Sequence, residues 1–407
     1  MIAVPKEVQA VLDVLRGKGH EAFPVGGCVR DSLRGQVPGD WDVCTSAQPE
    51  ETQAAFPEGY ALPTGLKHGT VTVLSGGKPI EVTTFRTEGT YSDSRRPDSV
   101  TFVRSLDEDL KRRDFTVNAM ALDAAGNVID RFGGQADLQQ GIIRCVGEPA
   151  VRFQEDALRI LRALRFASKL DFTIEATTAR AAEESKGRLT ALSVERVWKE
   201  LGGILMGPGC SRVLKEYGSI LAPVLPELDA GGVSRRSAAI AAAPKDLCLR
   251  LALLLYGLDT QKADTVLRRL RSDNASRQRT LRLHSALSAP LPGTRIERLQ
   301  FAQDLGWEDA GLVAGLRDKK AAAELLALRQ EHPCLTVRDL RISGDDLLQL
   351  GAASGESVGA LLRKLLNAVW QKDAENSREE LLKLAKTLLE EEPQRKRMFP
   401  PPRRKIP

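Results

Sequence analysis

The distribution of apolar positions changes character about one third of the way along the chain. Residues 1 to about 148 carry short strand-like runs at 40–44, 70–74, 80–85, 100–103 and 119–122, separated by turns containing Gly and Pro. In 80–83 the alternation is explicit, with Ile80 and Val82 facing one way and Glu81 and Thr83 the other. After Val146-Gly147-Glu148-Pro149 the apolar spacing becomes three to four residues. The runs 153–170, 193–206, 247–256, 263–271, 322–331 and 358–370 therefore predict amphipathic helices. Breaks at Gly207-Pro208-Gly209, near Gly231-Gly232 and across 289–293 subdivide the helical part. The expected class is α+β at the N-terminus, with a small mixed sheet, followed by an all-α remainder.

Composition narrows this picture without redirecting it. At 407 residues, two to four domains are expected. No apolar run of about 18 residues and no signal-peptide pattern follows Met1, which predicts a cytoplasmic protein without membrane association. The six cysteines are scattered and contain no CxxC pair, so they read as reduced core thiols. Of the net charge of +5, the last seventeen residues alone contribute +4, and the rest of the chain is close to neutral. Nucleic-acid binding cannot be argued from net charge; it must come from the placement of basic residues. That basic, proline-bearing segment, 391–407, is expected to be disordered.

The densest chemistry lies in Val25 to Ser46, VGGCVRDSLRGQVPGDWDVCTS. Asp40 and Asp42 lie two apart on an expected strand, so their carboxylates share a face and repel unless a cation lies between them. A hard ion such as Mg2+ is held by one or two carboxylates plus substrate phosphates. Gly26 and Gly27 precede an expected helix over 28–34, and backbone without Cβ can approach a phosphate at a helix start. Together these features indicate nucleotide-dependent phosphoryl transfer. Glu81, a lone acid on an apolar strand, is a candidate third carboxylate.

GGCVRD followed by DWD resembles the signature of the polymerase β-type nucleotidyltransferases, and specifically the tRNA nucleotidyltransferase and poly(A) polymerase family, in its class II bacterial branch. The resemblance extends over nearly the whole chain, because further motifs follow in the family's order. It implies a polymerase β-like nucleotidyltransferase head over 1–147, a helical neck for base recognition over 148–207, a helical body over 208–320 and a tRNA-binding tail over 321–390. It also implies catalysis by Asp40, Asp42 and Glu81, with two Mg2+ ions on Asp40 and Asp42.

Arg112-Arg113-Asp114-Phe115-Thr116-Val117-Asn118-Ala119 is similar to the family's ribose- and triphosphate-contacting motif. An Arg fork suits phosphate, and Asp and Asn suit sugar hydroxyls. With Gly26, Gly27 and Arg30, the resemblance assigns Arg113, Asp114 and Asn118 to the nucleotide. Asp156 and Arg159 match the family's amino-acid template for the incoming base, on a helix whose Arg162 and Arg165 continue the basic series and are expected to hold phosphate of the nucleotide. Cytosine and adenine each offer an exocyclic amine beside a ring-nitrogen acceptor, which an Asp and an Arg complement. Uracil and guanine present the opposite order, leaving a buried polar group unpaired at a cost of about 1–3 kcal/mol. Arg86, Tyr91, Asp93, Arg95 and Arg96 match the flexible loop of the family, here full length.

The implied activity is untemplated addition of CCA to the tRNA 3′ end from CTP and ATP, with no protein partner evident. An A-adding enzyme acting beside a separate CC-adding one shares these motifs, and a bacterial poly(A) polymerase is the third reading. His284 and His332 are followed by Ser and Pro, so the phosphohydrolase dyad of some relatives is missing.

Overall fold

The computed structural model describes residues 2–88, 100–229, 231–353 and 355–398. It divides into two compact units, Met1–Gln278 and Arg279–Pro407.

The first unit opens with α1 (Lys6–Gly17), whose Val8, Val11, Leu12 and Leu15 fall on one face at helical spacing. That face buries against a five-stranded sheet built from β1 (Ala22–Pro24), β2 (Asp42–Thr45), β3 (Ala61–Gly65), β4 (Thr70–Ser75) and β5 (Lys78–Thr84). The order is β1-β2-β5-β4-β3; β2 and β5 run parallel and the other pairs antiparallel, so the sheet is mixed. Ile80, Val82 and Thr84 are buried from alternate positions of β5, as the alternation predicts. Gly76 and Gly77, both with positive φ, make the tight turn between β4 and β5. Strand β3 carries no alternation that would announce it, since its central Leu62, Pro63 and Thr64 are all exposed.

Strand β2 begins at Asp42, so Asp40 precedes the strand rather than lying on it. Between β1 and β2 runs α2 (Gly27–Leu33), and α3 (Pro49–Ala55) follows β2. A hairpin of β6 (Arg86–Glu88) and β7 (Val100–Phe102) leads into α4 (Leu106–Lys111), β8 (Met120–Leu122), β9 (Val128–Asp130) and α5 (Gly134–Gln140). The expected loop residues Tyr91, Asp93, Arg95 and Arg96 lie outside the described residues.

Two differences from the expected helices matter for the site. The run 153–170 is not one helix but two, α6 (Pro149–Glu155) and α7 (Leu158–Leu170), interrupted where Asp156 is extended at φ −139° and ψ 107°. The Asp156 carboxylate accepts the Leu158 backbone N–H at 2.9 Å, a local bond that competes with helix continuation. In addition, β10 (Ile142–Ile143) pairs in parallel with β11 (Thr173–Ile174), tying the segment after α7 back to the residues before α6. Helices α8 (Ala176–Ser185), α9 (Val194–Met206), α10 (Cys210–Tyr217), α11 (Gly232–Ala242), α12 (Leu247–Leu254) and α13 (Thr260–Arg269) follow. Arg250 on α12 is buried, has no carboxylate partner among the described residues, and donates to the carbonyls of Ala243, Pro244 and Leu205.

Helix α14 (Asn274–Ser288) enters the second unit, which continues through α15 (Arg295–Leu305), α16 (Trp307–Arg317), α17 (Lys319–Gln330), α18 (Gly344–Gln349), α19 (Glu356–Gln371) and α20 (Arg378–Met398). Its core gathers Leu299, Leu347, Leu361, Leu365, Trp370 and Leu381, and the Trp370 indole donates to the Cys334 carbonyl at 2.7 Å. Helix α20 reaches Met398, so residues 391–398 are helical where disorder was expected. The Glu, Gln, Arg, Lys and Met of this stretch are strong helix formers, which outweigh the single Pro393. All six cysteines are free and buried. Among the described residues no helix is long and apolar enough to cross a membrane.

Candidate active site

Asp42 opens β2 directly opposite Glu81 of β5 in the parallel register, and Asp40 stands two residues earlier in the preceding loop. Trp41 between them is half-buried and packs against the apolar clusters around α1 and α2. Asp40 and Asp42 both line an open cleft of about 530 Å³. Burial, then the charges of Asp40 and Glu81, push the Asp42 carboxyl up to about 6, against a smaller pull from Arg113. Glu81 itself is exposed and does not line the cleft. Among the described residues no group of three or more His, Cys, Asp or Glu is placed to hold a metal ion. The donor set is therefore two oxygen ligands carrying excess negative charge, which suits a hard divalent cation completed by water and phosphate oxygens.

Next to Asp42, whose carbonyl accepts the Val25 N–H at 3.0 Å, Gly26 adopts φ 84° and ψ −125° just before α2. A Cβ on Gly26 would sit 3.0 Å from Nη1 of Arg113, whereas one on Gly27 would meet only ordinary contacts. The first glycine is thus required by the close approach of Arg113 as well as by its backbone conformation. Arg113 and Arg112 are both held by the fully buried Asp109 of α4, at 3.0 Å and 2.7 Å. Burial raises the Asp109 carboxyl, but the two guanidinium charges prevail and hold it below the usual carboxylate range. Nε of Arg113 is buried and has no partner among the described residues. Arg86, at the base of the β6–β7 hairpin, also lines the cleft and donates to the His68 carbonyl.

Asp114 joins the head motif to α7. Its Oδ2 accepts from Nε and Nη2 of Arg162 at 2.8 and 2.6 Å, and its Oδ1 accepts from Asn118 at 3.1 Å. Asn118 in turn accepts from Arg30. Arg162 is therefore already engaged with a carboxylate, and its contribution to the cleft is the remaining face of the guanidinium. Burial opposes ionisation of Asp114, but Arg162 and the hydrogen bonds from Asn118 and Phe115 win, holding the carboxyl low.

Asp156 and Arg159 both line the cleft. Asp156 Oδ2 accepts from Nη2 of Arg196 at 2.7 Å. Arg159 is 7% exposed, donates to Glu155, and reaches the Arg112 carbonyl at 3.2 Å. Arg165 donates to the buried Glu200 at 2.5 Å. Helix α9 presents Arg196, Glu200 and Gly203 at i, i+4 and i+7, and a Cβ on Gly203 would lie 2.5 Å from the Arg165 side chain. These α9 residues, with Phe166 and Lys169 on α7, are cleft or supporting groups that sequence reasoning missed. In the sequence they look like the polar and apolar faces of amphipathic helices.

Residues 22–144 match the family described as "Poly A polymerase head domain", 171–231 match "Probable RNA and SrmB- binding site of polymerase A", and 246–385 match "tRNA nucleotidyltransferase domain 2 putative". The chain is 38% identical over 381 residues to the CCA-adding enzyme of Lactobacillus delbrueckii subsp. bulgaricus, spanning 91% of this chain and 95% of that one. It is 37% identical over 404 residues to the CCA-adding enzyme of Geobacillus stearothermophilus, spanning 92% and 95%. Its fold superposes on the crystal structure of the Bacillus stearothermophilus CCA-adding enzyme in complex with CTP with a TM-score of 0.79 at 33% identity, covering 97% and 99%. With the α+β head, the helical remainder and the arginine-lined cleft behind the Asp40–Asp42 pair, these likenesses establish that the chain is a nucleotidyltransferase belonging to the family of CCA-adding enzymes.

Proposed function

We propose that this chain adds C, C and A to the 3′ end of tRNA from CTP and ATP without a nucleic-acid template. One observation carries the reading: a single cleft joins the Asp40–Asp42 pair to Asp156, Arg159 and a wall of arginines. The acceptor 3′ oxygen bonds to the α-phosphorus as the bond to the β-phosphate bridging oxygen breaks, and pyrophosphate leaves. CCA-adding nucleotidyltransferases generally use divalent metals, and two Mg2+ ions held by Asp40 and Asp42 would neutralise phosphate charge and favour the alkoxide form of the acceptor. Glu81, in register with Asp42, adds negative charge that assists removal of the hydroxyl proton.

Gly26, Gly27, Arg30 and Arg113 receive the triphosphate, with Arg165 behind them, and Asp114 and Asn118 receive the ribose. Arg162 fixes Asp114 in that role. Asp156 and Arg159 read the base. A carboxylate oxygen accepts more than one hydrogen bond, so Asp156 can receive an exocyclic amine while Arg196 and the Leu158 N–H hold its orientation. Arg86, with the loop residues Tyr91, Asp93, Arg95 and Arg96, adjusts these groups between C and A addition. Basic residues of the second unit supply phosphate contacts to the tRNA.

The test supplies tRNAs ending before, after one and after two of the added C residues, with CTP or ATP separately. CTP should extend the first two by the missing C residues, and ATP the third by one A, after which addition stops. Failure to add C to the shortest substrate would select the A-adding reading. Long A tracts on unrelated RNA would select poly(A) polymerase.

A further inference from the structure

Phe166 stands where the head meets α7, with its ring at the cleft and only 6% of its surface exposed. Three guanidinium groups surround it. The Cζ atoms of Arg165, Arg162 and Arg30 lie 4.3, 5.3 and 5.4 Å from the ring centroid. Arg30 comes from α2, beside the glycine turn, while Arg162 and Arg165 come from α7, beside the base-reading pair. The ring is anchored from behind by Phe115, edge-on at 5.8 Å and 75°.

This arrangement answers a specific electrostatic problem. Three like charges converge on one wall, and their carboxylates, Asp31, Asp114 and Glu200, each hold one of them from the side. A further carboxylate at the centre would gather the cations but repel the incoming triphosphate. The face of an aromatic ring attracts cations through its quadrupole while adding no net negative charge. An aliphatic side chain of similar volume would fill the space without that attraction.

We propose that Phe166 is a positioning residue for nucleotide binding, a neutral plate that sets the phosphate-binding Arg30 in register with the α7 arginines. The inference rests on the nucleotide-adding reading of the cleft. Phe166→Leu keeps apolar volume and removes the plate; the Kd for CTP and ATP should rise about three- to thirtyfold. Phe166→Tyr keeps the plate and should restore binding to within about twofold. Replacing Phe166 by 4-fluoro-, 3,4,5-trifluoro- and pentafluorophenylalanine holds shape nearly constant while draining the quadrupole. Calorimetric affinity for CTP should fall stepwise along that series at unchanged Tm. A flat affinity across the fluorinated series, with Phe166→Leu lowering Tm alone, would overturn the proposal and leave Phe166 as core packing. Wild-type protein that neither binds nor incorporates CTP would instead overturn the function itself, so the two failures are separable.

Discussion

Arg196 on α9 donates from Nη2 to Asp156 Oδ2 at 2.7 Å, and this bond orients the Asp156 carboxylate at the edge of the cleft. The break between α6 and α7 places Asp156 in an extended conformation that brings it within reach of α9. Nη1 of Arg196 is buried and has no partner among the described residues.

Removing that support should cost selectivity more than chemistry. In Arg196→Ala, Asp156 keeps its bond to the Leu158 N–H but loses its lateral anchor. Incorporation of UTP and GTP relative to CTP and ATP should rise by about tenfold, the equivalent of one lost hydrogen bond of about 1.4 kcal/mol. The measurement is kcat/KM for each of the four nucleotides. Unchanged ratios with a uniform loss of rate would show that Arg196 does not act through Asp156.

Asp40→Ala and Asp42→Ala should each abolish nucleotide addition while leaving the fold intact. Burial and the neighbouring acids make the charge on Asp42 unfavourable in the metal-free protein. Its removal should therefore leave Tm in EDTA equal to or above that of wild type. Normal turnover in either variant would sink the assignment of the pair as metal ligands.

The parts of this site that were legible in the sequence are those whose chemistry is concentrated in a short stretch. Gly26 to Asp42 combine a phosphate-type turn with paired acids, and both acids reach the cleft although only Asp42 lies on the strand. The helix break at Asp156 was not legible, because Phe153 to Leu170 keep helical apolar spacing across it. The interruption comes from a side-chain bond to Leu158 N and from Arg196, forty residues away. Phe166 and Glu200 were hidden for a related reason: an apolar residue on α7 and an acid on α9 satisfy amphipathic patterning equally well with no function. Only the tertiary approach of Arg30 and Arg165 distinguishes them.

Asp109 is the fully buried counter-charge of Arg112 and Arg113, and the Arg86 backbone N–H also points to it at 3.4 Å. Asp109→Asn leaves two guanidinium groups without it and should destabilise the protein by about 3 kcal/mol. Because the folded carboxyl is held below its ordinary value, its contribution is complete above the unfolded carboxylate range and is lost as pH falls through the depressed folded value. Denaturant unfolding from pH 7 down to pH 3 should therefore fall less steeply in Asp109→Asn than in wild type. Parallel curves would mean that the two arginines find other partners.

Gly26→Ala places a methyl group where two constraints meet. The backbone at φ 84° and ψ −125° lies in a region that L-residues rarely occupy, costing on the order of 1–3 kcal/mol. The added Cβ would also press to 3.0 Å on Nη1 of Arg113, the end of a side chain fixed by Asp109 and therefore poorly able to yield. Relaxing the clash means turning the guanidinium away from the cleft. Gly26→Ala should accordingly lower Tm by several degrees and weaken CTP and ATP binding together by about tenfold or more. Gly27→Ala, at ordinary contact distances, should lose less than threefold in binding and little in Tm. Comparing the two by calorimetric nucleotide titration separates the requirements. Equal losses would show that phosphate approach, rather than the seat of Arg113, sets the need for glycine here; a loss confined to Gly26 would assign it to Arg113.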